Sequence, residues 1–235
     1  MTGPLVVVFE SGPSFDEPAW TAALDEGLVG WRRHVDARFV GRRGARRAAL
    51  RDADVYVSTW IDDGVIRSAP GLRWVHLTLA GAGGREGLEL PTGVRLTTAV
   101  GVAARGMAEH ALMSMLALAR GLPAAIDNQR RWSWTQEGIL DHVAGLAGRT
   151  AGIVGLGHAG RAIAALAKAV GMRTAGTSRM ADAAPEVDVV LPAAELPRLL
   201  EASDFLVLAA SLNESTRGLI AARELELLGP SSYLV

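Results

Sequence analysis

Ala151-Gly152-Ile153-Val154-Gly155-Leu156-Gly157-His158-Ala159-Gly160 decides how this chain is read. A short apolar run breaks into G-x-G-x-x-G and continues as the helix-like Arg161-Ala162-Ile163-Ala164-Ala165-Leu166-Ala167-Lys168. Strand, tight turn and helix start are what a dinucleotide pyrophosphate requires. Gly155 permits the turn, Gly157 lets backbone approach phosphate, and Gly160 lets the helix pack close to the strand. The helix N-terminus then offers unpaired N–H groups and a partial positive charge to the anion. The pattern alone is weakly specific, so its surroundings carry the argument.

At 235 residues and 49% hydrophobic content the chain can build one large or two modest cores. Its 24 basic and 25 acidic residues leave a formal charge of −1, which gives no global attraction to nucleic acid or an anionic membrane. The basic residues are arginines apart from Lys168. There are 0 cysteines, which excludes disulfides, thiolate nucleophiles and cysteine metal sites. Leu5 to Phe9 reads as a first strand and not as a signal peptide. No stretch reaches the roughly 18 apolar residues of a bilayer span, so the expectation is a cytoplasmic protein without membrane or nucleic-acid partners.

Outward from the glycine turn, strand-like and helix-like segments alternate. Before it, strands are expected at Leu5 to Phe9, Trp31 to Phe39, Ala53 to Thr59, Leu72 to Leu77 and Val94 to Thr98. Helices are expected at Glu17 to Leu28, Gly44 to Asp52 and Asp62 to Ser68. A long helix from Ala104 to Arg120 follows, Pro123 stops or kinks what comes next, and residues 127–146 read as irregular. Beyond Thr150 come strands at 151–155, 173–177, 204–210 and 232–235, with helices at 158–170, 194–201 and 221–228. Such alternation predicts an α/β fold of two domains, each a parallel sheet with helices on both faces. The boundary falls between Thr97 and Gly101, dividing the chain into 1–98 and 99–235.

A ribose-reading residue is expected about 20 positions after the glycines. An NAD enzyme carries Asp or Glu there, whereas this chain has Thr177, Ser178 and Arg179. A hydroxyl and a guanidinium suit a 2′-phosphate, so NADP is preferred and NAD stays open.

The chain resembles the D-isomer-specific 2-hydroxyacid dehydrogenases, the family that includes glyoxylate/hydroxypyruvate reductases. Several motifs carry this in order: Leu72-Arg73-Trp74-Val75-His76 with Ala80-Gly81-Ala82-Gly83, Met107-Ala108-Glu109-His110, the run from Leu146 into the glycine turn, Ser203 to Leu208, and Glu214 to Ile220. The resemblance implies a flavodoxin-like substrate domain and a Rossmann dinucleotide-binding domain with the active site in the cleft. It implies that Leu79, Ala80, Gly81 and Ala82 hold the substrate carboxylate. Gly155, Gly157, His158, Ala159, Gly160, Thr177, Ser178, Arg179, Ala209, Ala210, Ser211 and Thr216 fall to the dinucleotide. Ser211 stands where proline is usual, which is expected to loosen that turn. The family's catalytic Arg, Glu and His, and the helix returning to the first domain, lie beyond Val235. The 235 residues alone are therefore expected to bind cofactor without turnover. The implied activity interconverts small 2-oxo acids and D-2-hydroxy acids by hydride transfer. A non-catalytic dinucleotide-binding sensor or corepressor-like scaffold is the alternative.

The remaining candidates read as structural. Glu109 and His110 are adjacent on a helix, about 100° apart, and make no acid–base pair. His158 borders the pyrophosphate, His76 is a core histidine or approaches the cleft, and His34 and His142 have no evident partners; none has metal spacing. Arg42, Arg43, Arg46, Arg47 and Arg51 make a solvated basic face. Trp132 and Trp134 pack locally or anchor a homodimer.

Overall fold

Strands such as Val55–Ser58, Thr150–Val154 and Phe205–Leu208 are short and largely buried on both faces, the pattern of parallel sheets covered by helices on each side. The structure, a computed structural model, describes residues 3–10, 17–41, 46–80, 90–135, 143–179 and 184–235. The chain divides into two units, Met1–Val100 and Gly101–Val235.

In the first unit, strands β1 (Leu5–Glu10), β2 (Val35–Val40), β3 (Val55–Ser58), β4 (Trp74–Leu77) and β5 (Arg95–Thr98) form one parallel sheet in the order β2-β1-β3-β4-β5. Val8, Tyr56, Val75 and Leu77 point to one face and pack with Leu50 of α2 (Arg46–Leu50) and Val65 of α3 (Asp63–Ser68). Val7, Phe9 and Val55 point to the other face, towards Leu24 of α1 (Glu17–Gly27). Phe9 stacks on Phe39 at 5.0 Å. At the carboxyl end of β1, the nearly buried Glu10 accepts a hydrogen bond from the Tyr56 hydroxyl and pairs with Arg46 at 3.1 Å. Burial, and then the Glu10 carboxylate, push the Tyr56 phenol above its ordinary range. Arg46 also reaches Asp62 at 2.9 Å, and Asp62 caps α3 through the N–H of Val65. Arg46 therefore turns inward and is not part of a solvated face; Arg42 and Arg43 lie outside the described residues.

In the second unit, β6 (Thr150–Val154), β7 (Arg173–Ser178), β8 (Val189–Pro192), β9 (Phe205–Leu208) and β10 (Tyr233–Leu234) form a parallel sheet in the order β10-β9-β6-β7-β8. Ala151, Ile153, Phe205 and Val207 meet Met115 of α4 (Ala104–Ala119) and Ile163 and Ala164 of α6 (His158–Ala169). Val154, Ala175 and Leu206 meet Leu196, Leu199 and Leu200 of α7 (Leu196–Glu201) on the opposite face. Met115, Leu199, Leu200 and Leu206 are 0% exposed. Each such side chain contributes roughly 1.5–3 kcal/mol by leaving water. Helix α8 (Ala222–Glu226) lies between β9 and β10 in the chain.

One device recurs at the strand starts. Asp54, Asp188 and Asp204 each immediately precede a strand. Their carboxylates accept the N–H of Val6 at 3.0 Å, Thr174 at 2.8 Å and Thr150 at 2.8 Å, on the neighbouring strand. Each also meets a cation: Arg73 at 3.5 Å, Lys168 at 2.7 Å and Arg149 at 2.8 Å. Each N–H lies in the first two residues of its strand, so a charged acceptor answers a backbone donor at the strand start.

Three expectations are corrected. Trp31 to Phe39 is not a single strand: a 3₁₀ turn occupies Trp31–Arg33 and pairing starts at Val35. Pro123 does not stop the chain. It sits in the first turn of a new helix, α5 (Leu122–Arg130), where no N–H is needed, after Gly121 breaks α4 with φ 64°. The expected irregular region therefore starts within a helix, and residues 136–142 lie outside the description. Finally, β8 was not expected; it is a four-residue edge strand ending in Pro192, a position where proline is tolerated.

Candidate functional site: the carboxyl edge of the second sheet

In the order β10-β9-β6-β7-β8 the chain leaves β6 towards β7 on one side and returns through β9 on the other. The loops beyond these strands therefore diverge at β6 and open a crevice, the usual ligand position in an open α/β sheet. A cleft of about 300 Å³ lies there. The turn Gly155 to Gly157 after β6, Ser178 and Arg179 at the end of β7, and Ala209, Ala210 and Ser211 after β9 line it.

The turn is built around two glycines. Gly155 has φ 99°, and a Cβ there would stand 2.8 Å from Cα of Ala210. A Cβ on Gly160 would strike the carbonyl oxygen of Gly155, so α6 reaches the strand only because this position is bare. Gly157 differs: a Cβ there would meet nothing within 4 Å. It precedes α6 in extended conformation, and no side chain among the described residues caps the helix. The N–H groups of its first turn thus point outward with the positive end of the helix dipole. The N–H groups of Gly155 and Leu156 donate to the carbonyl of Thr177 at 3.2 and 3.1 Å, tying the turn to β7.

Nine of the residues singled out from sequence come together around this cleft: Gly155, Gly157, Thr177, Ser178, Arg179, Ala209, Ala210, Ser211 and Thr216. Arg179 is exposed and makes no ion pair among the described residues. His158, Ala159 and Gly160 form the first turn of α6 and do not line the cleft. The imidazole of His158 lies against Gly101, whose Cβ would fall 3.0 Å from Cδ2. Ala193 and Asn213 also line the cleft and were not foreseen. Ala193 follows the missed β8. Asn213 carried a legible signal, a turn-forming residue three positions before Thr216. The turn at Ser211 is also not loose: its carbonyl accepts the Thr216 hydroxyl at 2.7 Å and Nδ2 of Asn213 at 3.3 Å.

Within the first unit, Leu79 and Ala80 stand just past the carboxyl end of β4, with the Leu79 carbonyl accepting the N–H of Ala99 at 3.2 Å. Gly81 and Ala82 lie outside the described residues. Glu109 pairs with Arg105 at 3.0 Å and not with His110. His76 Nδ1 shares a hydrogen bond of 2.8 Å with the Thr97 hydroxyl, which also accepts the indole N–H of Trp74. His142 lies outside the described residues. Among the described residues no group of three or more His, Asp or Glu could hold a metal ion, and no helix is long and apolar enough to cross a membrane.

Residues 112–235 match the family profile described as D-isomer specific 2-hydroxyacid dehydrogenase, NAD binding domain. A glyoxylate reductase of Thermococcus gammatolerans is 34% identical over 195 residues, covering 79% of this chain and 58% of the relative. The chain thus spans about three-fifths of the length of such glyoxylate reductase relatives. A D-isomer specific 2-hydroxyacid dehydrogenase family protein of Aeromonas salmonicida superposes with a TM-score of 0.84 at 22% identity, covering 99% of this chain and 72% of that one. The NADPH-dependent glyoxylate/hydroxypyruvate reductase of Sinorhizobium meliloti, solved with NADP and sulfate, gives 0.75 at 24% identity, covering 96% of this chain and 68% of that one. By its profile match and by the glycine turn at the switch point of its second sheet, the chain belongs to the D-isomer specific 2-hydroxyacid dehydrogenase family.

Proposed function

We propose that this chain forms the dinucleotide-binding and carboxylate-holding parts of an NAD(P)-dependent reductase of small 2-oxo acids, glyoxylate or hydroxypyruvate among them, with NADP preferred. The observation that carries the reading is the bare cradle at 155–160: backbone where a Cβ at Gly155 or Gly160 would collide, open space above Gly157, and an uncapped helix start. These are the features a diphosphate needs. Gly155, Gly157 and the first-turn N–H groups of His158, Ala159 and Gly160 would hold the diphosphate. Thr177, Ser178 and Arg179 would read the ribose and its 2′-phosphate, and the stretch from Ala209 to Ser211, with Thr216, would lie along the nicotinamide side. When bound, the nicotinamide supplies a hydride. In residues 1–98, the substrate domain of this reading, Leu79, Ala80, Gly81 and Ala82 would hold the acid's carboxylate; residues 99–235 are its dinucleotide-binding domain.

Fluorescence titration tests the cofactor assignment. NADPH is expected to bind the 235-residue chain more tightly than NADH. Arg179→Ala should weaken NADPH roughly 10- to 100-fold, the worth of a charge-assisted contact, and leave NADH unchanged. Equal affinities in the unmodified chain would refute the role of Ser178 and Arg179.

The same reading makes the protein a homodimer. Trp132 and Trp134 are 97% and 103% exposed, beyond the partly exposed Met113, Leu116, Leu122 and Ile126 of α4 and α5. Large apolar groups of this kind dominate interface energies. Sedimentation at micromolar concentration should give a dimer, and Trp132→Ala/Trp134→Ala should shift it to monomer; a monomeric unmodified chain removes the proposal.

A further inference from the structure

One wall of the cleft is the stretch that follows β9, and several of its polar groups are bonded to one another. The Thr216 hydroxyl accepts the N–H of Asn213 at 2.8 Å and donates its one proton to the Ser211 carbonyl at 2.7 Å. The Asn213 side chain works from the other end. Its Nδ2 donates to the same carbonyl at 3.3 Å, and its Oδ1 accepts the N–H of Ser215 at 2.9 Å and the Ser215 hydroxyl at 2.7 Å. The N–H of Arg217 closes the loop on the carbonyl of Asn213 at 2.9 Å. Thr216 cannot donate to a bound molecule without giving up its bond to the Ser211 carbonyl, which leaves only the longer one from Asn213.

We infer that Thr216 and Asn213 are positioning residues: they hold Ser211, and with it Ala209 and Ala210, at the distance from the glycine turn that the cofactor requires. This rests on the dinucleotide reading and replaces direct contact by Thr216 with an indirect role. Cα of Ala210 stands 2.8 Å from where a Gly155 Cβ would be, so movement of this wall changes the cleft at the turn itself. The brace fixes a loop that has no regular secondary structure from Ala209 to Ala221. A pre-ordered wall spares the ligand the cost of ordering it.

The test uses Thr216→Val, nearly isosteric and without the hydroxyl, Thr216→Ser, which keeps it, Asn213→Ala, and the Thr216→Val/Asn213→Ala pair. Amide hydrogen exchange on the ligand-free chain reads the brace without cofactor. The amides of Asn213 and Ser215 should exchange faster in the valine variant and at the unmodified rate in the serine variant. In NADPH titrations the valine and alanine variants should each lose roughly 3- to 10-fold in affinity, the worth of one hydrogen bond. Thr216→Ser should stay within about 2-fold, and the double variant should lose no more than the worse single one, since both act on one element. Unchanged exchange in Thr216→Val, or losses that add in the double variant, would overturn the brace. An unmodified chain that binds neither NADPH nor NADH overturns the cofactor reading and the brace with it. Should Thr216→Val fail to fold, Asn213→Ala decides in its place: it removes the acceptor of the Ser215 N–H and the donor to Ser211, so unchanged exchange at Ser215 together with unchanged NADPH affinity would overturn the brace.

Discussion

Gly160→Ala is expected to destabilise the second unit by several kcal/mol and to abolish NADPH binding. The added Cβ would overlap the carbonyl oxygen of Gly155 and stand 3.2 Å from Cγ2 of Ile153. Neither can step aside, since the carbonyl belongs to the turn and Ile153 is fully buried in β6. Helix α6 would have to withdraw from the sheet, taking Ile163, Ala164 and Ala167 out of the core they share with Met115. Overpacking a well-packed core costs about 1–3 kcal/mol and occasionally more, and here one of the two obstacles is backbone, which places Gly160→Ala at the upper end. Gly155→Ala is the milder companion. It forces a residue with φ 99° to carry a side chain, about 1–2 kcal/mol, and presses on Ala210. Gly157→Ala provides the contrast. Its Cβ meets nothing within 4 Å and its φ is −78°, so stability should change by less than about 1 kcal/mol while NADPH affinity falls. Urea unfolding followed by circular dichroism, paired with NADPH titration, separates the three. A Gly160→Ala protein as stable as the unmodified chain would contradict the close packing of α6 on β6, and a Gly157→Ala protein with full affinity would remove the phosphate from this turn.

Much of this architecture could be read from residue order. The alternation of apolar runs with helical segments places both parallel sheets, and the glycines locate the cleft, because only a bare backbone allows strand, turn and helix to meet so closely. What stayed hidden was set by packing and not by pattern. β8 is four residues long and ends in Pro192, too short for a periodicity to show. Pro123 reads as a breaker in isolation, and only the left-handed Gly121 before it reveals a helix start. His158 sits within the glycine motif, yet its ring rests on Gly101, 57 positions earlier in the chain. The lining residue Ala193 follows the unseen strand. The brace at Asn213 and Thr216 depends on side-chain hydrogen bonds that compete with regular structure, which a serine in place of an expected proline does not announce. The three aspartates that open strands illustrate the same limit. Asp54 fell inside the strand expected from Ala53 to Thr59, and the neighbour whose N–H it accepts lies 48 residues away.

The second large effect concerns one of those aspartates. Asp204→Ala should cost about 2–3 kcal/mol, because it removes a charge-assisted bond and leaves the Thr150 N–H unanswered at the start of a buried strand. Asp204→Asn keeps an acceptor for that N–H and loses only the pairing with Arg149, so about 1 kcal/mol is expected. The pH dependence distinguishes a carboxylate from a mere space-filler. Burial alone would raise the Asp204 carboxyl, but the Thr150 N–H and the Arg149 guanidinium outweigh it and hold the group below its ordinary value. Asp188 is held down by Lys168 and then by the N–H of Thr174. In the unfolded chain both titrate near 4. The folded protein thus binds their protons less readily than the unfolded chain, so their contribution is complete above about pH 4 and is lost as pH falls through the folded-state values. Urea midpoints measured between pH 7 and pH 3 should fall steeply at the acid end for the unmodified chain. The fall should be shallower in Asp204→Asn, so the two proteins converge in stability as acid is added. A constant gap between them across the whole range would mean that the carboxylate at the head of β9 contributes through shape and not through charge.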